Sequence, residues 1–276
     1  MRRGVLAVCA LLLACPASGA PIGERLRSIS DGFLGTPYVL GPLGEGPEGE
    51  FDRDPLFSTA AFDCTTFVET TMALALAGTP AEATDLLRRI RYKDGVVGFA
   101  TRNHFPEIDW LPNNIAAGFL TDATAQAAPG RHQTVVKRIS KRDWYRSKTL
   151  TDLEGFEGAA AMEREERLRR LRALGEGMPD EDASVAYVPL EALEEALPRI
   201  PSGAIGSVVR AALPGKPVVV THQLFLFDGP EGKFVRHAAF NKSVEDVPAM
   251  EYFGRFKDAS WRVLGLNLVV VSESAR

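Results

Sequence analysis

The apolar run from Val68 to Ala77 reads as a buried helix, and such a helix must lie inside whatever the rest of the chain builds. The residues leading into it are Ala61-Phe62-Asp63-Cys64-Thr65-Thr66-Phe67. Asp63 is a good N-cap, because its carboxylate can accept from the open amides of the first turn. Cys64 then becomes the first helical residue, where unpaired N–H groups and the helix dipole favour an anion. A thiol in that position ionises more easily, and the thiolate is the reactive form. The charge of Asp63 works the other way, so a nucleophilic Cys64 needs a partner such as a histidine brought in from elsewhere. The same residues also describe a small, inert, buried cysteine.

Export narrows that choice. Met1-Arg2-Arg3-Gly4 is basic, Val5 to Ala14 is apolar, and Ala17-Ser18-Gly19-Ala20 is small, the three-part layout of a secretory signal peptide. Residues 1–20 are therefore expected to be a leader, with the protein periplasmic or secreted; a lipidated Cys15 after Leu12-Leu13-Ala14 is the second possibility. Cutting there removes Cys9 and Cys15 and leaves Cys64 as a lone thiol in an oxidising compartment, a liability unless it is used or buried. It also removes Arg2 and Arg3, taking the formal net charge from −4 to −6. A mildly acidic chain lacks the clustered positive field that nucleic acids require, so no nucleic-acid partner is expected. The basic stretch Arg131 to Lys148 is expected to form a solvated face. No further apolar stretch is long enough for a membrane span.

With 276 residues, 45% of them hydrophobic, the chain can bury one substantial core or two small ones. Ile22, Leu26, Ile29 and Phe33 recur at helical spacing and end near Gly35. Pro37 keeps Thr36-Pro37-Tyr38-Val39-Leu40 extended. Thr79-Pro80-Ala81-Glu82 opens another helix. Gly95 to Asn114 alternates aromatic and polar residues, as in a strand followed by a loop lining a cleft. Gln133 to Ile139 reads as a strand, and Met162 to Leu174 as a charged surface helix inside a helical insertion at about 151–200. Strands are expected at Pro217 to Phe227, Lys233 to Phe240 and Trp261 to Val271. Helices first and an antiparallel sheet afterwards argue for an α+β domain spanning 21–276.

His222 and His237 fall on the two strands of one hairpin, fifteen residues apart in the sequence. Antiparallel neighbours can place two side chains on one face, so one imidazole could deprotonate Cys64 while the other orients it. Two half-buried histidines satisfied by the backbone are the alternative. Taken in order, Pro37-Tyr38-Val39, Phe62-Asp63-Cys64, His222 and His237-Ala238 resemble the NlpC-type papain-like cell-wall hydrolases. Asp63-Cys64-Thr65-Thr66-Phe67-Val68-Glu69, with Arg102-Asn103-His104-Phe105 and Asp109-Trp110, is similar to their N-acetylmuramoyl-L-alanine amidase-like branch. The resemblance implies Cys64 as nucleophile, His222 as base and His237 as orienter. It also implies a Tyr38 hydroxyl near the sulfur and the Cys64 backbone N–H in an oxyanion hole. The commoner pattern has Ser-Gly after the cysteine and Val-Gly after the base histidine, where this chain has Thr65-Thr66 and Gln223-Leu224.

The implied substrate is peptidoglycan or a muropeptide, cut between N-acetylmuramic acid and L-alanine. Arg102, His104 and Trp110 would then line the sugar side, with Trp110 stacked on the ring. An endopeptidase cutting after D-glutamate would use Asp63 to hold a free L-alanine amine, and a non-catalytic muropeptide-binding shell is a further reading. No cofactor is expected: there is no glycine-rich phosphate loop after a strand, and no Gly-x-Ser-x-Gly elbow. His104, Glu107, Asp109 and His132 lack helical metal-ligand spacing, so no metal site is expected.

Overall fold

A computed structural model describes residues 19–273, so the expected leader lies almost wholly outside the described residues. Helix α1 (Ile22–Asp31) is followed by a turn through Gly35, whose φ of 80° suits only a residue without Cβ. The chain then runs extended, and isolated bridges join Pro37 to Ser243 and Tyr38 to Phe62. Helix α2 (Cys64–Leu76) begins at the expected cap. Helix α3 (Pro80–Arg91) starts with Thr79 Oγ1 accepting the Glu82 N–H and with proline in its first turn. Shorter helices follow: α4 (Leu111–Ala116), α5 (Thr124–Ala127), α6 (Lys141–Arg146), the longer α7 (Ala161–Ala173), α8 (Leu193–Ala196) and α9 (Ala249–Gly254).

Eight strands are described: β1 (Leu120–Asp122), β2 (Gln133–Ser140), β3 (Asp180–Pro189), β4 (Ala204–Arg210), β5 (Val220–Gly229), β6 (Gly232–Ala238), β7 (Val244–Pro248) and β8 (Val263–Val271). They lie in the order β2-β3-β8-β4-β5-β6-β7 with β1 added on β8, and each pairing is antiparallel. The fold is α+β.

The sheet is covered on both faces, which explains why β5 reads as an almost unbroken apolar run. Its Phe225 and Phe227 join Phe67, Val68 and Met72 of α2 and Leu26 and Ile29 of α1 in one core. The alternate residues Leu224 and Leu226 face a second core with Leu193, Tyr252 and Phe253. The Phe67 and Phe225 rings meet edge to face at 5.7 Å. A third cluster, Phe51, Phe99, Tyr145, Leu153, Phe156, Leu168 and Leu171, sits under α7.

Three expectations are corrected. No strand forms between Gly95 and Phe105; a lone bridge joins Tyr92 to Arg102, and Pro106–Trp110 winds into a wide helical turn that runs on into α4. Pro106 is suited to the first helical position, and Asp109 accepts the Phe105 N–H at 3.2 Å. The segment at about 151–200 is not wholly helical either, because β3 pairs there with both β2 and β8. The basic stretch is also not simply solvated. Lys141 contacts Asp109 at 2.6 Å and Glu181 at 2.9 Å, and Arg138 faces Asp182 across the strands at 3.3 Å.

Candidate active site

Asp63 caps α2 with a complete capping box. One carboxylate oxygen accepts the Thr66 N–H at 2.7 Å and the Thr66 hydroxyl at 2.9 Å, while Thr66 Oγ1 accepts the Asp63 N–H at 2.9 Å. The other oxygen accepts the Gly41 N–H at 3.0 Å and so ties the preceding loop to the helix start. Cys64 follows at the first helical position, half-buried and unpaired as a thiol.

The backbone N–H groups of Gln223 and Thr65 face the sulfur, and Thr65 Oγ1 lies 4.0 Å away. Burial is the largest influence and pushes the thiol up to about 12, with the Asp63 charge adding to it. The helix start does not overcome these two effects. Hydrogen bonding from the backbone of Gln223, the residue after His222, partly offsets the rise.

His222 and His237 form a pair. Nε2 of His222 and Nδ1 of His237 are 2.8 Å apart, with the rings at 85°. Burial first, then the neighbouring His237 and Arg210, lower His222 to about 3. His237 falls to about 4, through burial, then Arg255 and Lys242, offset by Asp246. Both rings are neutral near pH 7, so one donates and the other accepts. Tyr38 feels the charges of both Cys64 and Asp63; burial, then these charges, hold its hydroxyl protonated and able to donate. Tyr252, not singled out from the sequence, packs edge-on against the His237 ring at 4.9 Å and also senses Cys64.

Tyr38 and Asp63 thus lie close enough to Cys64 for their charges to act on one another, the Gln223 backbone on β5 bonds the sulfur, and His222 and His237 pair across β5 and β6. Arg102, His104 and Trp110 line a cavity of about 440 Å³ that also touches Asp63 and Thr65. Their side chains there are committed inward. Arg102 pairs with Asp52 and Glu45, each at 2.7 Å, and closes the loop that carries those acids. His104 Nε2 contacts the Phe99 carbonyl at 2.7 Å, and its ring is held well below the usual histidine range by burial and then by Arg102. Trp110 is fully buried and donates its indole N–H to Glu69 at 2.9 Å, which leaves no ring face for a sugar. The half-buried Trp144 of α6 and Lys148 just after it line the same cavity and were not singled out as site residues, since neither belongs to a motif.

Of the other candidate ligands, His132 is exposed, and the two acids are engaged elsewhere. Glu107 accepts from the Val219 and Val220 amides, and Asp109 from Lys141. Among the described residues, no group of three His, Cys, Asp or Glu is arranged to hold a metal ion. Among them too, no helix is long and apolar enough to cross a membrane.

A family model described as AmiA-like, N-acetylmuramoyl-L-alanine amidase-like, matches residues 28–258. Among solved structures, a Legionella pneumophila protein of family DUF1460 is similar at 30% identity and a TM-score of 0.86, over 91% of this chain and 89% of that one. An N-acetylmuramoyl-L-alanine amidase from Bacteroides uniformis shares the fold at 23% identity and a TM-score of 0.67, over 91% and 99%. A Bacteroides fragilis protein provisionally named a xylanase is similar at 25% identity and 0.60, over 88% and 99%. No curated protein matches the sequence.

Proposed function

Because the chain belongs to the AmiA-like family of N-acetylmuramoyl-L-alanine amidase-like proteins, we propose that it is an exported, papain-like cysteine hydrolase of the NlpC superfamily. Its substrate in this reading is peptidoglycan or a fragment of it, cut between the lactyl carbonyl of N-acetylmuramic acid and L-alanine. The observation that carries the reading is the His222–His237 pair together with Cys64 at a capped helix start, its sulfur facing the Gln223 amide.

His222 Nε2 is occupied by His237, so Nδ1 is the nitrogen left to take the thiol proton. With the thiol raised and the imidazole lowered, the resting pair is neutral, and proton transfer accompanies attack rather than preceding it. The sulfur bonds to the lactyl carbonyl carbon as its proton passes to His222. The oxyanion is met by the Tyr38 hydroxyl and the Cys64 backbone N–H at the helix start. Collapse expels the L-alanine amine with the His222 proton and leaves a thioester. Water, deprotonated by His222, then releases the muramyl carboxylate and restores the thiol.

The assay that tests this offers a muramyl peptide with its sugar and the same peptide with a free L-alanine amine. The proposed amidase releases intact peptide from the first and ignores the second. Cleavage of only the free-amine peptide, between D-glutamate and the diamino acid, would replace the amidase with an endopeptidase that uses Asp63 as amine anchor. Asp63 stands beside the nucleophile, which favours that second reading, but both its oxygens already serve Thr66 and Gly41. Binding without turnover would leave the muropeptide-binding module. Export is tested separately: mass spectrometry of the mature protein is expected to show an N-terminus near Ala20 or Pro21, and a lipidated Cys15 would replace it.

A further inference from the structure

We propose that Glu245 is a positioning residue, which acts through His237 to hold the histidine pair in the one tautomer that can deprotonate the thiol. Glu245 lies directly opposite His237 in the β6–β7 register. Its Oε1 is 3.7 Å from His237 Nε2, a buried nitrogen with no hydrogen-bond partner among the described residues. That gap is longer than a hydrogen bond, but a carboxylate charge acts on a ring nitrogen across it. Lys242 Nζ, 3.8 Å from the same oxygen, holds the carboxylate on this side.

The 2.8 Å contact between two neutral imidazoles admits two proton arrangements. In the first, His222 donates from Nε2, its Nδ1 keeps a lone pair for the thiol, and His237 carries its proton on Nε2. In the second, His237 donates from Nδ1, which leaves His222 protonated on Nδ1 and unable to act as base. The second also sets the lone pair of His237 Nε2 against the Glu245 carboxylate. Glu245 therefore selects the first. The other groups facing His237 do not replace it. Tyr252 offers a ring edge, Lys242 and Arg255 are cations that oppose protonation of the ring, and Asp246 is bound by Arg236 at 2.7 Å.

The role in turnover rests on the catalytic assignment of Cys64 and His222, whereas the tautomer can be read without substrate. Nitrogen-15 NMR of histidine-labelled protein at pH 7 is expected to show His237 protonated on Nε2, and a mixture of tautomers in Glu245→Ala. kcat is expected to fall roughly tenfold with KM little changed, as when an outer partner that fixes a histidine tautomer is removed. Glu245→Gln, which keeps the shape but removes the charge acting across the 3.7 Å gap, is expected to show the same mixture and the same fall in kcat, so it carries the test if the alanine variant does not fold. A parent His237 protonated on Nδ1, or a tautomer unmoved in Glu245→Ala, overturns the proposal whatever the activity. A moved tautomer with unchanged kcat removes the role in turnover. Full activity in Cys64→Ser would instead sink the catalytic reading while the NMR result still decides the place of Glu245.

Discussion

Cys64 occupies a position where a helix start assists ionisation, yet burial of the sulfur and the charge of Asp63 push it up to about 12. Because its folded pKa is raised, the thiolate fraction grows as pH rises. Iodoacetamide labelling of the substrate-free protein should therefore climb through the alkaline range. A rate already at its plateau near pH 6 would reveal a preformed thiolate–imidazolium pair and contradict the neutral resting state. Cys64→Ser, nearly isosteric, is expected to keep the melting temperature and lose most turnover. His222→Ala should approach that loss, while His237→Asn, still able to accept from the base, keeps part of the activity. Residues acting as one unit lose activity non-additively, so the double variant should be little worse than His222→Ala. Multiplying losses would mean that the two rings do not share a task. The pairing of His222 with His237 and the capped helix start at Cys64 were legible in the sequence, from the hairpin spacing and the capping residues. Glu245 and Tyr252 were not, since a glutamate and a tyrosine carry no such signal alone. Asn241, with φ 57°, marks the β6–β7 turn that sets Glu245 opposite His237, and reading that turn would have exposed the pair.

Helix α2 was legible as an element from its cap and its apolar run, but its anchoring was not. Asp63→Ala removes the bonds to Thr66 and Gly41, and equilibrium unfolding should show a loss of about 1–2 kcal/mol. An unchanged midpoint would mean that the cap is replaced by water. Deeper in the helix, Glu69 is 1% exposed, a carboxylate inside the core. It accepts from Arg91 at 2.8 Å and from the Trp110 indole, and Arg91 in turn donates to the Leu43 carbonyl at 2.6 Å. This network ties α2 to α3, to the turn before α4 and to the loop after Leu40. Glu69→Ala leaves Arg91 buried without its partner and should cost about 3–5 kcal/mol, read by denaturant titration. A loss under 1 kcal/mol would show that Arg91 escapes to solvent. The strand expected in the stretch after Gly95 failed for a related reason. Its alternation of aromatic and polar residues comes from side chains committed to different neighbours, Asn103 to the Ile90 carbonyl and Arg102 to Asp52 and Glu45, rather than from a pleat.

At the scale of the molecule, two cores sandwich the sheet and place the start of α2 beside the His222 and His237 strands, while the third cluster does a separate job. It packs Phe51 from the loop before α2, Phe99, Tyr145 and the inner face of α7 together, and that packing forms one wall of the cavity next to Thr65. Trp144 stands on this wall, stacked with Phe99 at 6.0 Å and 27°, with the Lys148 ammonium 3.6 Å from its ring centre. The sequence pointed to Trp110 for contact with a sugar because it sits in the motif-bearing segment, but that ring is inside the core and Trp144 is the half-buried indole on the cavity. If the proposed amidase seats N-acetylmuramic acid here, Trp144→Ala should raise KM for the muramyl peptide by roughly 2- to 12-fold, the equivalent of 0.5–1.5 kcal/mol of aromatic contact. kcat should change little, because the rings that Trp144 packs against are Phe99, His104, Phe105 and Tyr145 and not those of the His222–His237 pair. The substitution also removes packing against Phe99 and Phe105, so Trp144→Phe serves as the companion variant, keeping a ring in the wall and most of the affinity. Steady-state kinetics on both variants, with melting temperatures taken in parallel, separates the two effects. A KM unchanged in Trp144→Ala, with the fold intact, would place the sugar elsewhere and leave the wall a purely structural role.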